Sequence, residues 1–325
     1  MSAQAPSRAI LVRPHHFTAN PETALDNAFE DIAGVGGIPP RVLAARARRE
    51  VTELAGALRA IGVEVDVFDD DGATTPDSVF PNNWLSTHPD GTLALFPMYA
   101  PSRRAERRRD IVDHVLSRFR VRRVVDYSCG EHDDRFLEGT GAMVLDHVNR
   151  LAFACRSRRL SPALLEEVCA DLGYEPLLFT ATDTDGVPVY HTNVLMSIGT
   201  DLAVVGSGMI RDRAERERVL ARLREGGRTV VEIDESQVRS FLGNCLEVEG
   251  RDGHCLLMSA TAEASLTPEQ RRDIERSCRI VAVPVPTIET AGGSVRCMIA
   301  GVHLEAAEDR TAVRDTQDAR VLSGA

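Results

Sequence analysis

The chain has 325 residues, a net charge of −11, 43% hydrophobic and 27% charged side chains, with acidic and basic residues interleaved. That balance fits a globular protein able to build a core and argues against a nucleic-acid scaffold, which would show a basic face. No apolar run reaches the roughly 18 residues of a membrane span, and residues 1–10 lack the apolar core of a signal peptide.

All 38 basic side chains are arginine, so neither a catalytic lysine nor a Schiff base is available. The seven cysteines are odd in number and include no C-x-x-C pair. This points to free thiols in a reducing compartment and to a cytoplasmic location. No cluster has zinc-ligand spacing, and the adjacent pair His15-His16 would face opposite sides of a strand. No metal and no cofactor are expected.

Along the chain, an apolar run at 9–12 predicts the first strand. Pro40 opens the first helix, which Gly62 stops. Strands at 63–68 and 92–96 follow, then a helix from near Ser102 and strands at 121–125, 142–145 and 151–154. Ser161-Pro162 opens the third helix with a capping hydroxyl ahead of a proline, and Gly173 ends it. The fourth runs from near Asp212 to Gly226, followed by strands at 229–233 and 254–258. Thr267-Pro268 opens the fifth, and a last apolar stretch across 280–288 leads into a glycine pair.

Helices recurring about every 50 to 60 residues predict five β-rich units with one helix apiece. Arranged radially, such units leave a central channel where their inner loops converge. No proline- or serine-rich linker interrupts them, so residues 1–304 read as a single domain and 305–325 as a polar tail.

The richest chemistry lies in Glu289-Thr290-Ala291-Gly292-Gly293-Ser294-Val295-Arg296-Cys297-Met298. Glycines let backbone approach a ligand, and a strand running into them would hold Cys297 at a cleft mouth. The plainer reading of Cys297 is a buried apolar cysteine. Tyr190-His191-Thr192-Asn193 offers an imidazole and an amide on one face of a strand, or only a satisfied turn histidine. Glu138, beside Phe136-Leu137 and Gly139-Thr140-Gly141, is a carboxylate that needs a partner if buried and is otherwise a solvated loop residue. Phe80-Pro81-Asn82-Asn83-Trp84 is a turn, or a source of uncharged donors and acceptors. Arg103 and the run Arg156-Ser157-Arg158-Arg159 are solvated charge, or a fork for a carboxylate. A thiol, an imidazole and a carboxylate together would be a nucleophile, a base and an orienter.

In this order the motifs resemble the pentein superfamily of guanidino-modifying enzymes, which includes arginine deiminases, dimethylarginine dimethylaminohydrolases and amidinotransferases. The stretches beginning at Phe80, Tyr190 and Glu289 are most similar to the citrulline-hydrolysing branch of the amidinotransferase family. The similarity runs from about Arg13 to Leu304. It implies an α/β fold, a five-bladed pseudo-symmetric propeller of ββαβ units around a central active site, so that residues 1–304 would form the catalytic domain. It also implies Cys297 as nucleophile, His191 as general acid and base, and Glu138 as the orienting carboxylate. Arginines that hold the substrate's α-carboxylate are implied at Arg103 and Arg158, with Arg156 as a neighbouring alternative.

Arginine-processing members place a carboxylate at the site matching Asn83, and arginine deiminases place another at Asn193. Two amides supply no counter-charge for a guanidinium, whose uncompensated burial costs several kcal/mol, but they can pair with a neutral ureido group. The expected reaction is hydrolysis of citrulline to ornithine, ammonia and carbon dioxide through a covalent cysteine adduct. The alternatives are an arginine deiminase or dimethylarginine dimethylaminohydrolase, an amidinotransferase, and a non-catalytic binding protein on the same scaffold. The expected partner is a small molecule (citrulline, arginine or a related amino acid), with no nucleic acid and no membrane. The sequence is compatible with a homo-oligomer without specifying one.

Overall fold

The computed structural model describes residues 4–31 and 36–307. Fifteen strands among these residues form five separate three-stranded sheets. In chain order they are β1 (Arg8–Pro14), β2 (Glu64–Asp70), β3 (Leu85–Thr87), β4 (Thr92–Leu95), β5 (Arg123–Asp126), β6 (Met143–Asp146), β7 (Leu151–Cys155) and β8 (Glu175–Phe179). Then come β9 (Met196–Ile198), β10 (Leu202–Val205), β11 (Thr229–Glu232), β12 (Leu246–Gly250), β13 (Gly253–Ser259), β14 (Arg279–Val283) and β15 (Ala300–Gly301).

Every sheet has one pattern. A short inner strand pairs antiparallel with a middle strand, which pairs parallel with an outer strand. A parallel pair needs a long crossover, usually a helix. The five crossover helices are α1 (Pro40–Ala60), α2 (Arg109–Arg118), α3 (Pro162–Leu172), α4 (Arg213–Glu225) and α5 (Pro268–Glu275). The first unit takes its inner strand from the other end of the chain, since β15 pairs with β1 at Ile10 and Ala300. The result is a five-bladed α/β propeller whose circle is closed by both ends of the described chain.

The helices form for readable reasons. In α1 the buried residues Leu43, Ala47, Val51, Leu54 and Leu58 recur at helical spacing and turn one stripe inward. Full burial of a leucine contributes about 1.5–3 kcal/mol. Thr267 accepts from the amide of Gln270, whose side chain reaches back to complete a capping box on α5. Asp212 caps α4 through the Glu215 amide. Ser161 precedes α3 without a side-chain cap bond, and Gly173 closes that helix in the left-handed region.

Six strands, β3, β8, β9, β10, β12 and β15, are not among those expected from the sequence, and two expected elements differ in extent. Pro101 opens only a single turn, Pro101–Arg104, and the second crossover helix begins at Arg109. The stretch across 280–288 is a strand only to Val283; Pro286 then starts a helical turn, Pro286–Glu289. Buried apolar clusters lie between neighbouring units, so each blade is held by its neighbours. Within the polar tail, the amide of Ala307 donates to the Arg118 carbonyl and Glu305 accepts from the Arg120 amide; residues 308–325 lie outside the described ones.

Candidate active site

The five inner strands are short and apolar, and the residues entering them converge. Asn83, Gly141, Asn193, Asn244 and Cys297 each precede the first residue of an inner strand by two or three positions. The fold therefore gathers residues separated by more than two hundred positions, from Asn83 to Cys297.

A narrow cavity is lined by Cys297, His191, Asn83, Arg103 and Arg159, with Glu30 and Asp77 on its wall. Behind it, Asn193 and Asn244 each direct an Nδ2 donor at the Cys297 sulfur, both at 3.2 Å. The Asn244 Oδ1 accepts from the Arg296 amide at 3.1 Å and so fixes the side chain's orientation. Cys297 is 2% exposed.

His191 Nε2 meets Glu138 Oε2 at 2.8 Å. Glu138 is wholly buried, its other oxygen accepts the Tyr99 amide at 2.9 Å, and Arg159 and Arg103 approach within 3.5 and 3.6 Å. Burial alone would raise this carboxyl's pKa; Arg159, the His191 bond and Arg103 outweigh it and hold it well below the usual carboxylate range. The His191 ring goes the other way. Burial lowers it to about 4, against the opposing pull of Glu138. With Nε2–H facing the carboxylate, the neutral ring leaves Nδ1 as a base.

A first expected result follows. Imidazole nitrogen shifts of His191, followed by NMR, stay those of a neutral ring until the pH approaches about 4; a midpoint near 6.5 would contradict the geometry. In the unfolded chain the ring takes its proton near 6.5, so this residue's contribution to stability is present above that value and is lost as pH falls toward 4.

Two glycines explain motifs visible in the sequence. A Cβ on Gly141 would lie 2.2 Å from Asn83 Nδ2 and 2.8 Å from His191 Nδ1, so only glycine lets those groups approach. Gly292 has φ +76°, and a Cβ there would strike the Asn27 amide at 2.2 Å. Its own amide donates to the Glu289 carbonyl at 2.9 Å, so it is not a free donor for a developing anion. Asn27 belongs to the connection between β1 and α1, which covers the cavity. Asn20 there donates to Asp77 at 2.7 Å, and Asp26 pairs with Arg159 at 2.6 Å.

Most of the residues singled out in the sequence meet here, and Arg158 does not. Arg158 is exposed, as is Arg156, whereas Arg159 is buried in the cavity wall. Residues 157–160 form a tight turn closed by the Leu160 amide on the Ser157 carbonyl, and the Asp26 ion pair draws Arg159 inward while Arg158 stays at the outer corner. Arg103 does reach the cavity, gripped by Glu106 at 2.9 Å and by Asn83 Oδ1 at 2.9 Å. His191 and Asn193 do not share a strand face; His191 is extended and Thr192–Leu195 is a helical turn.

Sequence reasoning missed Asn244, Asp77 and Glu30. A signal for Asn244 existed: the triplet Asn-x-Leu precedes three inner strands, at Asn83-Trp84-Leu85, Asn193-Val194-Leu195 and Asn244-Cys245-Leu246. The same triplet at Asn149 leads into a middle strand, so it marks strand entry more broadly than the site.

The profile of the family described as N,N dimethylarginine dimethylhydrolase, eukaryotic, matches residues 13–304. No curated protein matches the chain. Among solved structures, the fold is similar to the N-terminal domain of ArgZ, an arginine dihydrolase from the ornithine–ammonia cycle in cyanobacteria. That match has a TM-score of 0.70 and 16% identity, covering 91% of this chain and 99% of that one. Unliganded AgrE gives a TM-score of 0.70 and 16% identity over 93% of this chain and 40% of its own. A dimethylarginine dimethylaminohydrolase adduct with 4-chloro-2-hydroxymethylpyridine gives 0.59 and 16%, over 90% and 98%. The match likewise spans 40% of the longer ArgZ chain. At such identities the likeness concerns the fold.

Proposed function

The chain belongs to the N,N-dimethylarginine dimethylhydrolase family within the pentein superfamily, a family that hydrolyses guanidino C–N bonds, and from that premise we propose that it cleaves the ureido group of citrulline. The observation that carries this reading is the set of neutral amides around Cys297. Asn193 and Asn244 face the sulfur, and Asn83 keeps an Nδ2 donor and Asn193 an Oδ1 acceptor, both buried without a partner among the described residues. One donor and one acceptor match a ureido oxygen and a ureido N–H.

The cavity also holds two carboxyl groups, but neither is a strong counter-charge for guanidinium. Asp77 accepts from Asn20 and Thr23 and faces Arg103 at 3.9 Å. Burial pushes Glu30 up to about 7, so it is substantially protonated near neutrality. The unpartnered Asp77 Oδ1, on the Arg103 side of the cavity, would accept from the substrate's α-ammonium group instead. The α-carboxylate would fall to Arg103 and Arg159, each of which would exchange part of its present ion pairing for it.

In this mechanism the Cys297 thiolate attacks the ureido carbon, and the carbonyl electrons move to oxygen. His191, holding the proton taken from the thiol, passes it to the departing nitrogen as the adduct collapses. Water, deprotonated by the neutral ring, then attacks the carbamoyl-enzyme, the C–S bond breaks to free the sulfur, and the carbamic acid released loses carbon dioxide as its remaining C–N bond breaks, with the proton passing to that nitrogen. With one water consumed overall, the products are ornithine, ammonia and carbon dioxide.

The rival is arginine or a methylarginine as substrate; ArgZ is an arginine dihydrolase. Product analysis on citrulline, arginine and dimethylarginine side by side separates them, and a higher kcat/KM on arginine would overturn the citrulline assignment. Asn83→Asp sharpens the comparison. A carboxylate there is expected to lower kcat/KM on citrulline by roughly a hundredfold, because the position loses its donor to the ureido group while the new charge pairs with Arg103 and not with the substrate. Arginine turnover in the variant should fall less or rise.

A further inference from the structure

The axial channel contains a second cavity. The active-site cavity is built from residues that enter the inner strands; this one, about 50 Å³, is lined by those strands themselves and by residues on either side of them, with Arg296 just ahead of β15. All five inner strands contribute, from Ser86 on β3 to Gly301 on β15. Two neighbours in sequence divide between the spaces: Cys297 lines the first and Arg296 the second.

The chemistry of this cavity is one-sided. Arg296 supplies a cation, and no lining residue is an aspartate or glutamate. Among the described residues the guanidinium has no carboxylate within ion-pair distance; one Nη donates to the Ile299 carbonyl at 3.0 Å. The three buried arginines among the described residues are each balanced: Arg103 by Glu106, Arg159 by Asp26, Arg228 by Asp146. Ser197 is 6% exposed, lines the same space, and its hydroxyl has no partner among the described residues. His147 and His303 line it with ring centroids 4.3 Å apart. Burial keeps both rings neutral, with His303 lowered to about 3. His147 Nδ1 is engaged by the Tyr174 hydroxyl at 2.7 Å, which leaves Nε2.

A second cation would meet Arg296 here without an acid to hold it. A small oxyanion would give the guanidinium a bidentate partner and the Ser197 hydroxyl an acceptor. We propose that this cavity is a binding site for a small oxyanion, carboxylate or phosphate, held by Arg296 and Ser197 beside the His147–His303 pair. The proposal is independent of what the Cys297 cavity hydrolyses.

The test is calorimetric titration of inorganic phosphate and, separately, acetate at constant ionic strength. The protein is the full chain with Cys297 alkylated, so that the neighbouring cavity is filled. Saturable one-to-one binding is expected; binding of phosphate alone points to a phosphoryl ligand, and of acetate alone to a carboxylate. Ser197→Ala should weaken it about tenfold, the loss typical of a hydrogen bond to a charged group. Arg296→Met should weaken it at least a hundredfold. If the Arg296 variant does not fold, Ser197→Ala decides, because it removes only a hydroxyl. Heats no larger than dilution for both anions, or affinities unchanged in the variants, would mean that water alone fills the cavity and would overturn the proposal.

Discussion

Cys297→Ser should reduce citrulline turnover by roughly ten-thousandfold or more, the scale seen when a covalent nucleophile is lost. The reason is chemical and not steric. A serine hydroxyl is a little smaller than the thiol and could still accept from Asn193 and Asn244, now 3.2 Å from the sulfur. It would, however, ionise far less readily, and no lysine exists anywhere in the chain to assist it. The cavity would be otherwise intact, so citrulline should still bind, with Kd changed only a few-fold. The loss should therefore appear in kcat. A second measurement separates a nucleophile from a mere wall residue: wild-type protein quenched during turnover should show a mass adduct on the peptide containing Cys297, and the variant none. Undiminished ornithine release from Cys297→Ser would refute the assignment.

How far the site was legible depends on the range over which each signal acts. The α4 and α5 starts were readable because Asp212 and Thr267 cap through bonds spanning three residues. The inner strands were the hard part. β3, β9 and β15 have two or three residues, too few for a period-two pattern, and their length is set by convergence on the axis, not by local preference. The missed end of β14 was local, since Pro284 and Pro286 already forbid a continuous strand there.

Glu138, His191 and Cys297 stood out through the glycines and apolar residues around them, and Gly141 and Gly292 prove to be glycine because other site side chains pass within 3 Å of where a Cβ would be. Arg159 was not separable from Arg158, because what turns it inward is Asp26, more than a hundred residues away. Asp77 and Glu30 escaped notice for the same kind of reason. Their partners, Asn20, Thr23 and Asn27, lie in a connection that looks like ordinary polar loop until it is folded over the channel.

Glu138→Gln should be nearly as damaging to activity as loss of the nucleophile's base, and it should also cost stability. The substitution keeps shape and removes one charge from a buried cluster. Two guanidinia would lose a carboxylate now 3.5 and 3.6 Å away. Breaking a buried pair from one side costs about 3–5 kcal/mol; the lower end is expected, because Asp26 stays with Arg159 and Glu106 with Arg103.

The pH dependence has a definite sign. The native carboxyl is held below its unfolded value of 4.5, so its contribution is present above that pH and is lost as the pH falls through the native value. The gap between variant and wild type in urea denaturation should thus be widest near neutrality and narrow in acid. Activity should drop roughly 10²- to 10⁴-fold, since a Gln side chain can turn its amide toward His191 and compete for the ring's tautomer. Imidazole nitrogen shifts would register that change directly, as a mixed or reversed tautomer in the variant. A purely structural Glu138 would give the stability loss with the His191 tautomer untouched, and that result would remove it from the catalytic machinery.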